Sequence, residues 1–445
     1  MMNGNPSPRR RGAGSPTARR LIGVALAAAL SLTGCAGQGQ KKDEGSSTSG
    51  GKVTISFWNG FTGPDRPAVE GLVKKFNASQ NKVTVTMEIS PWDVFFQKLL
   101  PSIGAGKGPD LMGMDAAQLP QYASRGVLRP MDEYYSDAAN ESDKLVKPAV
   151  DATAWQGKHY GVPMNFTTLL LYWNKGMFKD AGLDPDTPPK TWAEFQTAAK
   201  KLTKDTNGDG KPEQYGLALA DHETIAMWPI LFWGNGGGVV SDDGKKAMLG
   251  DPKTIEAMQQ WGDLVRNQHI SPVGLGGADA DKLFQTKKAA MEIVGPWMTT
   301  GFKDAGIDFG LAAPPAGPAG PVTLGTSVAF AVNAKTTDAK AKAAQEFIKF
   351  WNTKDSQKEW ALGSGFPPNR TDLAAGDLTE NPYVVAFGEP AGTAKFYLAN
   401  VKDFTKVNDT LYTPALQKVL NGKGTAQDLF PQASAQIQQL LDSQQ

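Results

Sequence analysis

Val53-Thr54-Ile55-Ser56-Phe57-Trp58 opens the stretch whose reading decides the fold class. Its β-branched and aromatic residues alternate with polar ones, the pattern of a strand with one buried face. Pro67 to Asn77 follows, with Val69, Leu72, Val73 and Phe76 at helical spacing on one apolar stripe. Val83-Thr84-Val85-Thr86-Met87 reads as a second strand and Phe95 to Ala105 as a second helix. Asp110-Leu111-Met112-Gly113-Met114 reads as a third strand. This order of strands and helices is that of a parallel α/β sheet. Ligands of such sheets sit beyond the carboxyl ends of the strands. That rule brings Trp58 and Asn59, the segment Ser90-Pro91-Trp92, and Asp115 to one rim. Each keeps a second reading: the tryptophans also suit core packing, and Asp115 also suits a turn or helix cap.

Outward from this unit, Thr191-Trp192-Ala193-Glu194 has the form of a capping box and opens a helix to about Leu202. Ala339 to Trp360 reads as one long helical stretch, stopped by Gly363-Ser364-Gly365-Phe366-Pro367-Pro368. The loop Pro314 to Pro321, rich in proline and glycine, is expected to mark a crossing between folded bodies. No repeat of fixed period runs through the 445 residues.

The N-terminus reads as a targeting segment. Arg9, Arg10, Arg11, Arg19 and Arg20 precede an apolar run from Leu21 to Leu32, then Thr33-Gly34-Cys35. The run is too short to span a bilayer but suits the core of a signal peptide. Thr33-Gly34-Cys35 resembles the lipobox of bacterial lipoproteins, which implies cleavage before Cys35 and a lipid on its thiol. Arg19-Arg20 leaves the choice between general secretion and twin-arginine export open. Residues 35–52, rich in Gly, Ser and charge, read as a flexible lipidated tether. No later stretch approaches 18 consecutive apolar residues, so lipid is the expected membrane attachment.

Composition excludes several classes. The formal charge is +1, and loss of residues 1–34 with their five arginines and no acid leaves −4. A mildly acidic protein lacks the basic face that nucleic acid needs. Cys35 is the single cysteine and there are 3 histidines, so internal disulfides, cysteine nucleophiles and His/Cys zinc centres are not expected.

Three stretches together resemble the carbohydrate-binding family of extracellular solute-binding proteins that serve ABC importers, the family of maltodextrin-binding protein. They are Phe57-Trp58-Asn59-Gly60 with Phe76-Asn77, then Tyr172-Trp173-Asn174-Lys175-Gly176-Met177-Phe178 through Trp192-Ala193-Glu194-Phe195, and Ala290-Met291-Glu292-Ile293-Val294-Gly295-Pro296-Trp297. Trp173 departs from the family's usual tyrosine. The resemblance implies an α/β fold of two lobes, periplasmic-binding-protein-like, with a ligand cleft between them and a multi-strand hinge. By analogy the first lobe takes residues 53–160 and 312–352, the second 161–311 and 353–445. It further implies a small carbohydrate as ligand, permease subunits of an ABC importer as partners, and a monomeric, non-enzymatic receptor held outside the cell. A polyol or glycerol phosphate ester is the alternative ligand. A secreted glycoside hydrolase would need two opposed carboxylates, and no hydrolase motif is present.

A sugar offers flat C–H faces and a rim of hydroxyls, so its site needs aromatic planes with polar groups at the edge. Trp297, after Gly295-Pro296, stands where the family places a stacking tryptophan. The resemblance also implies contacts from Asn165, Glu223, Thr326, Ser327, Phe366 and Arg370. For Glu223 a solvated helix-start acid is the alternative, and for Arg370 a surface salt bridge. Separately, Asp205-Thr206-Asn207-Gly208-Asp209-Gly210 matches the opening of a calcium loop. Gly216 holds the twelfth position, where a bidentate glutamate belongs, so turn chemistry explains the loop adequately. No cofactor is expected, with Asp205, Asn207 and Asp209 as the one candidate calcium set.

Overall fold

The computed structural model describes residues 51–223 and 227–444. The signal segment, Cys35 and nearly all of the tether fall outside the described residues. The first strands and helices form as their periodicity requires. They are β1 (Val53–Asn59), α1 (Arg66–Ser79), β2 (Val83–Ile89), α2 (Trp92–Gly104) and β3 (Leu111–Asp115). On α1 the buried residues are Val69, Leu72, Val73 and Phe76, the stripe read from the sequence.

β1 pairs in parallel with β2 on one side and β3 on the other. Strand Val328–Val332 then adds antiparallel to β3, and Val162–Pro163 closes the five-stranded sheet. One face packs Phe57, Val85 and Phe330 against α1 and helix Asp338–Trp351; the other packs Met112 and Met114 against Phe95 and Leu99 of α2. Burying each such side chain contributes roughly 1.5–3 kcal/mol.

A second sheet joins Phe309–Ala312, Leu170–Asn174 and Met291–Val294, all antiparallel. Leu170–Asn174 is buried on both faces: Leu171 and Trp173 enter one core, Leu170 and Tyr172 another. A third, small sheet joins Ala394–Phe396, Thr323–Thr326 and Thr167–Thr168. The chain therefore passes between the first and third sheets twice, at 163–167 and at 326–328. Asn165 and Ser327 sit in these two passages and tie them together. Val328 N–H donates to Asn165 Oδ1 (2.8 Å), and Ser327 Oγ donates to the Asn165 carbonyl (2.7 Å).

Packing divides the chain differently from the expected boundaries. Leu324 belongs to the core of the second sheet, so the crossing falls at 326–328 and not at 312. The loop 314–321 lies within the second lobe: Ala319 N–H donates to Gly234 O, and Trp192 N–H to Ala316 O. The stretch 339–360 is two helices, Asp338–Trp351 and Lys354–Ser364, because Thr353 caps the second through Ser356 N–H. Trp360 and Phe366 then join the first lobe's core beside Phe57, beyond the expected limit at 352. The capping box forms as read, Thr191 Oγ1 accepting from Glu194 N–H and Glu194 Oε2 from Thr191 N–H.

Candidate functional site

Two tryptophans, one in each lobe, follow a proline and lie on a glycine. Trp92 is the first residue of α2, and its indole covers Gly60 just past β1: a Cβ there would stand 2.0 Å from Trp92 Cδ2. Trp297 covers Gly295 just past strand Met291–Val294, where a Cβ would stand 1.9 Å from Cζ3. No residue but glycine permits either arrangement. Both indoles are partly exposed.

A chain of aromatic contacts joins them. Trp92 meets Phe61 edge-on (5.6 Å between centroids), and Phe61 meets Trp360 (5.6 Å). Trp360 meets Phe366 (5.2 Å), and Phe366 meets Trp297 (6.1 Å). The three middle rings are buried. Phe366, read from the sequence as a ligand contact, is buried between Trp360 and Trp297 and packs behind the Trp297 indole. Trp297 itself packs against the cores of both lobes. Trp58 is partly buried against the α2 side of the first sheet, and Asn59 points to the opposite face with Phe57.

Asn59 is fully buried; its Oδ1 accepts from Phe61 N–H (3.2 Å). Asn59 and Met164, the neighbour of Asn165, close together over Gly113 of β3. The Nδ2 groups of Asn59 and Asn165 are buried and find no hydrogen-bond partner among the described residues. Orphaned buried donors are uncommon, and these two are the amides the sequence placed at the rim and the crossing. Asp115 ends β3 and caps the following turn through Ala117 N–H (3.0 Å). Desolvation raises its carboxyl to about 6 against that hydrogen bond.

Other expected contacts are committed elsewhere. The guanidinium of Arg370 is buried and its donors are taken by Asp372 (2.8 and 2.7 Å), Glu141 (3.0 Å) and the Asn352 carbonyl (2.7 Å). That corrects its reading as a ligand clamp: it is an internal tie, and a buried one where the alternative was a surface bridge. Ser327 gives its hydroxyl to Asn165 O, which corrects it likewise. Thr326 ends its strand partly exposed, paired with Thr167. Glu223 is exposed, with its backbone in the left-handed region (φ 51°). The hollow of about 590 Å3 lined by Asp355, Lys358, Glu359, Leu362 and Gly363 contains none of these residues.

The loop at 205–213 satisfies itself. Asp205 accepts from Gly208 and Gly210 N–H, and Glu213 from Thr206 N–H, Thr206 Oγ1 and Asn207 Nδ2. Those backbone donors lower the Asp205 carboxyl. The twelfth position cannot carry a glutamate, since a Cβ on Gly216 would stand 1.9 Å from Ala199 O. The carboxylates of Asp205, Asp209 and Glu213 approach one another, but the loop closes by turn hydrogen bonds.

A family model described as bacterial extracellular solute-binding protein matches residues 71–385. The chain belongs to that family. Family membership accounts for lobes built from discontinuous pieces of chain. A maltotriose-binding protein of Pyrococcus abyssi is 27% identical over 361 residues, covering 76% of this chain and 71% of that protein. A periplasmic sn-glycerol-3-phosphate-binding protein of Brucella melitensis is 26% identical over 344 residues, covering 74% and 77%. A solute-binding protein of an ABC transporter from Thermotoga lettingae, solved with α-D-tagatose, superposes with a TM-score of 0.78. Its identity is 24%, and the match covers 88% of this chain and all of that one. The fold is thus the two-lobed binding-protein fold with its cleft between the lobes.

Sequence reasoning missed Phe61 and Trp360 as the links between the two indoles. The legible signal was glycine near Pro-Trp, which occurs in both lobes.

Proposed function

We propose that this protein captures a carbohydrate outside the cell, between its two lobes, and hands it unchanged to the permease of an ABC importer. The observation that carries the reading is the pair of partly exposed indoles, Trp92 and Trp297, one per lobe, each laid on glycine and braced from behind by buried rings. Such planes suit the C–H faces of a sugar, and the donors of Asn59 and Asn165 suit its hydroxyls. Ligand drives closure only as far as it binds the closed form better than the open one.

The glycerol phosphate ester is the second reading, and Arg370 weighs against it. A phosphate calls for a free guanidinium or ammonium. The single cation among the candidate residues is spent on Asp372, Glu141 and Asn352. Cys35 carries the lipid that holds the receptor at the membrane, on the strength of Thr33-Gly34-Cys35, and it works as a monomer. Among the described residues no helix is long and apolar enough to cross a membrane.

The test is a thermal-shift screen of residues 36–445 against mono-, di- and oligosaccharides, polyols and glycerol phosphates. At a hundredfold excess over Kd, native-state binding adds about 2.7 kcal/mol. A shift from a sugar, abolished by Trp297→Ala, supports the carbohydrate reading. A shift from a phosphate ester alone overturns it.

A further inference from the structure

The foot of the first sheet, the end opposite its ligand rim, gathers cations from distant parts of the chain. β1 and β2 begin level, Val53 beside Val83, and Val53 N–H bonds Lys82 O (2.8 Å), so Lys52 and Lys82 precede the two strands side by side. Leu111 pairs with Val332, which sets the start of β3 beside the end of strand Val328–Val332. Lys107 lies in the turn before β3. Lys335 follows the other strand and donates to the Ile103 carbonyl in α2 (3.2 Å). Ala334 N–H bonds Val127 O (3.0 Å), which brings the turn that holds Arg125 to the same end.

Lys52, Lys82, Lys107, Arg125 and Lys335 are all exposed and enter no ion pair among the described residues. The bond to Ile103 gives Lys335 a local use at the end of α2. The charged groups of the other four make no hydrogen bond among the described residues. The acids at this end are already matched: Asp110 by Lys340 (3.0 Å) and Asp338 by Arg129 (2.8 Å). Asp132, further along toward the Val162–Pro163 edge, takes the His159 N–H (3.1 Å). Residues 1–50 carry +5 and residues 51–445 carry −4, so five unmatched cations at one end leave the rest of the folded body at −9. The acidic total predicts no basic face. The fold makes one locally, because residues scattered from 52 to 335 meet where the strands begin and end.

The chain enters the fold at this same foot, 17 positions after Cys35. A segment of that length reaches at most about 60 Å, so a lipid on Cys35 keeps the foot near the bilayer. Anionic headgroups attract basic side chains within about a Debye length of the surface. A basic patch beside a lipid anchor is a two-signal membrane attachment. We propose that the foot of the first sheet is a docking surface for anionic phospholipid headgroups. It seats the tethered receptor with its ligand rim, about 20 Å away along β1, turned from the lipid. The proposal rests on the lipid-anchor reading of Cys35 and is independent of the carbohydrate reading.

The test is co-sedimentation of residues 36–445 with vesicles of phosphatidylcholine alone and of equal parts phosphatidylcholine and phosphatidylglycerol. Binding is expected only to the anionic vesicles, and its loss is expected in about 1 M salt, where the Debye length is about 3 Å. Each cation near the surface contributes roughly fivefold to the partition. The combined Lys52→Gln, Lys82→Gln and Lys107→Gln variant is therefore expected to bind about a hundredfold more weakly. A control with Lys200→Gln, Lys245→Gln and Lys246→Gln, exposed lysines of the second lobe, makes the same change in net charge and is expected to bind as wild type does. Both variants are expected to keep the wild-type melting temperature, since every replaced side chain is exposed. Wild type that ignores anionic vesicles, or binds neutral ones equally, overturns the proposal. So does a control variant that loses as much binding as the foot variant. Because residues 36–445 carry no lipid, failure here strikes the docking surface and leaves the Cys35 reading standing.

Discussion

Glu292→Gln should stabilise the protein, and increasingly so as pH rises. Glu292 lies in strand Met291–Val294, 2% exposed and opposite Tyr172 in register. Its Oε2 is buried without a partner, and its acidic neighbour is Asp281 of helix Gly277–Gln285. Burial first, and then the Asp281 charge, raise the Glu292 carboxyl well above the ordinary glutamate value. Burial raises Asp281 to about 6, opposed by the hydrogen bond it shares with Glu292. In the unfolded chain both ionise near pH 4. The folded pair holds its proton to higher pH, so between those limits the unfolded state binds fewer protons and stability falls as pH rises. Stability from the shared proton is thus present in acid and lost in alkali. Glutamine has nearly the same shape, carries no charge and can donate to Asp281. Relief of one unsatisfied buried group is worth about 1–3 kcal/mol. For a unit running from Gly51 to the C-terminus, the unfolding entropy is about 0.8 kcal/mol/K. A gain of about 2 kcal/mol should then raise Tm by roughly 2–3 °C. Calorimetry at pH 4.5 and pH 8 measures it. The reasoning is refuted if the gain is absent at pH 8 or the same size at both pH values.

Trp297→Ala should abolish sugar binding measured by calorimetry while leaving a folded protein, because Trp297 is partly exposed yet touches both cores. Gly60→Ala should displace Trp92 and cost about 1–3 kcal/mol through overpacking; urea unfolding gives the stability, and sugar titration should show weakened affinity. Arg370→Ala should cost about 3 kcal/mol, as loss of one partner of a buried charge network does. Its sugar affinity should be unchanged, and a large loss of affinity with little loss of stability would return Arg370 to the cleft.

The division between what was legible in the sequence and what was not follows the reach of each interaction. β1 to β3, with α1 and α2 between them, were legible because apolar periodicity is a local property: Val69, Leu72, Val73 and Phe76 share a stripe whatever lies beyond. The capping box at Thr191 was legible for the same reason, since both partners lie within one helical turn. Trp92 and Trp297 were legible as candidates, because proline fixes the approach and aromatic planes are costly to expose without use.

Side-chain allegiance was settled only by the tertiary structure. Asn165, Ser327, Phe366 and Arg370 carry groups that suit a ligand or a neighbour equally, and their partners lie far along the chain: Val328 for Asn165, Trp360 and Trp297 for Phe366, Glu141 for Arg370. Which strand crosses between sheets, and where, depends on pairings such as Gly325 with Thr168 and Ala329 with Pro163. The sequence by itself determined the α/β class and the two tryptophans. The fold alone decided that the ring of Phe366 and the guanidinium of Arg370 are buried against distant neighbours. A hydrogen bond or ring contact between distant residues leaves no periodic trace in the chain that makes it.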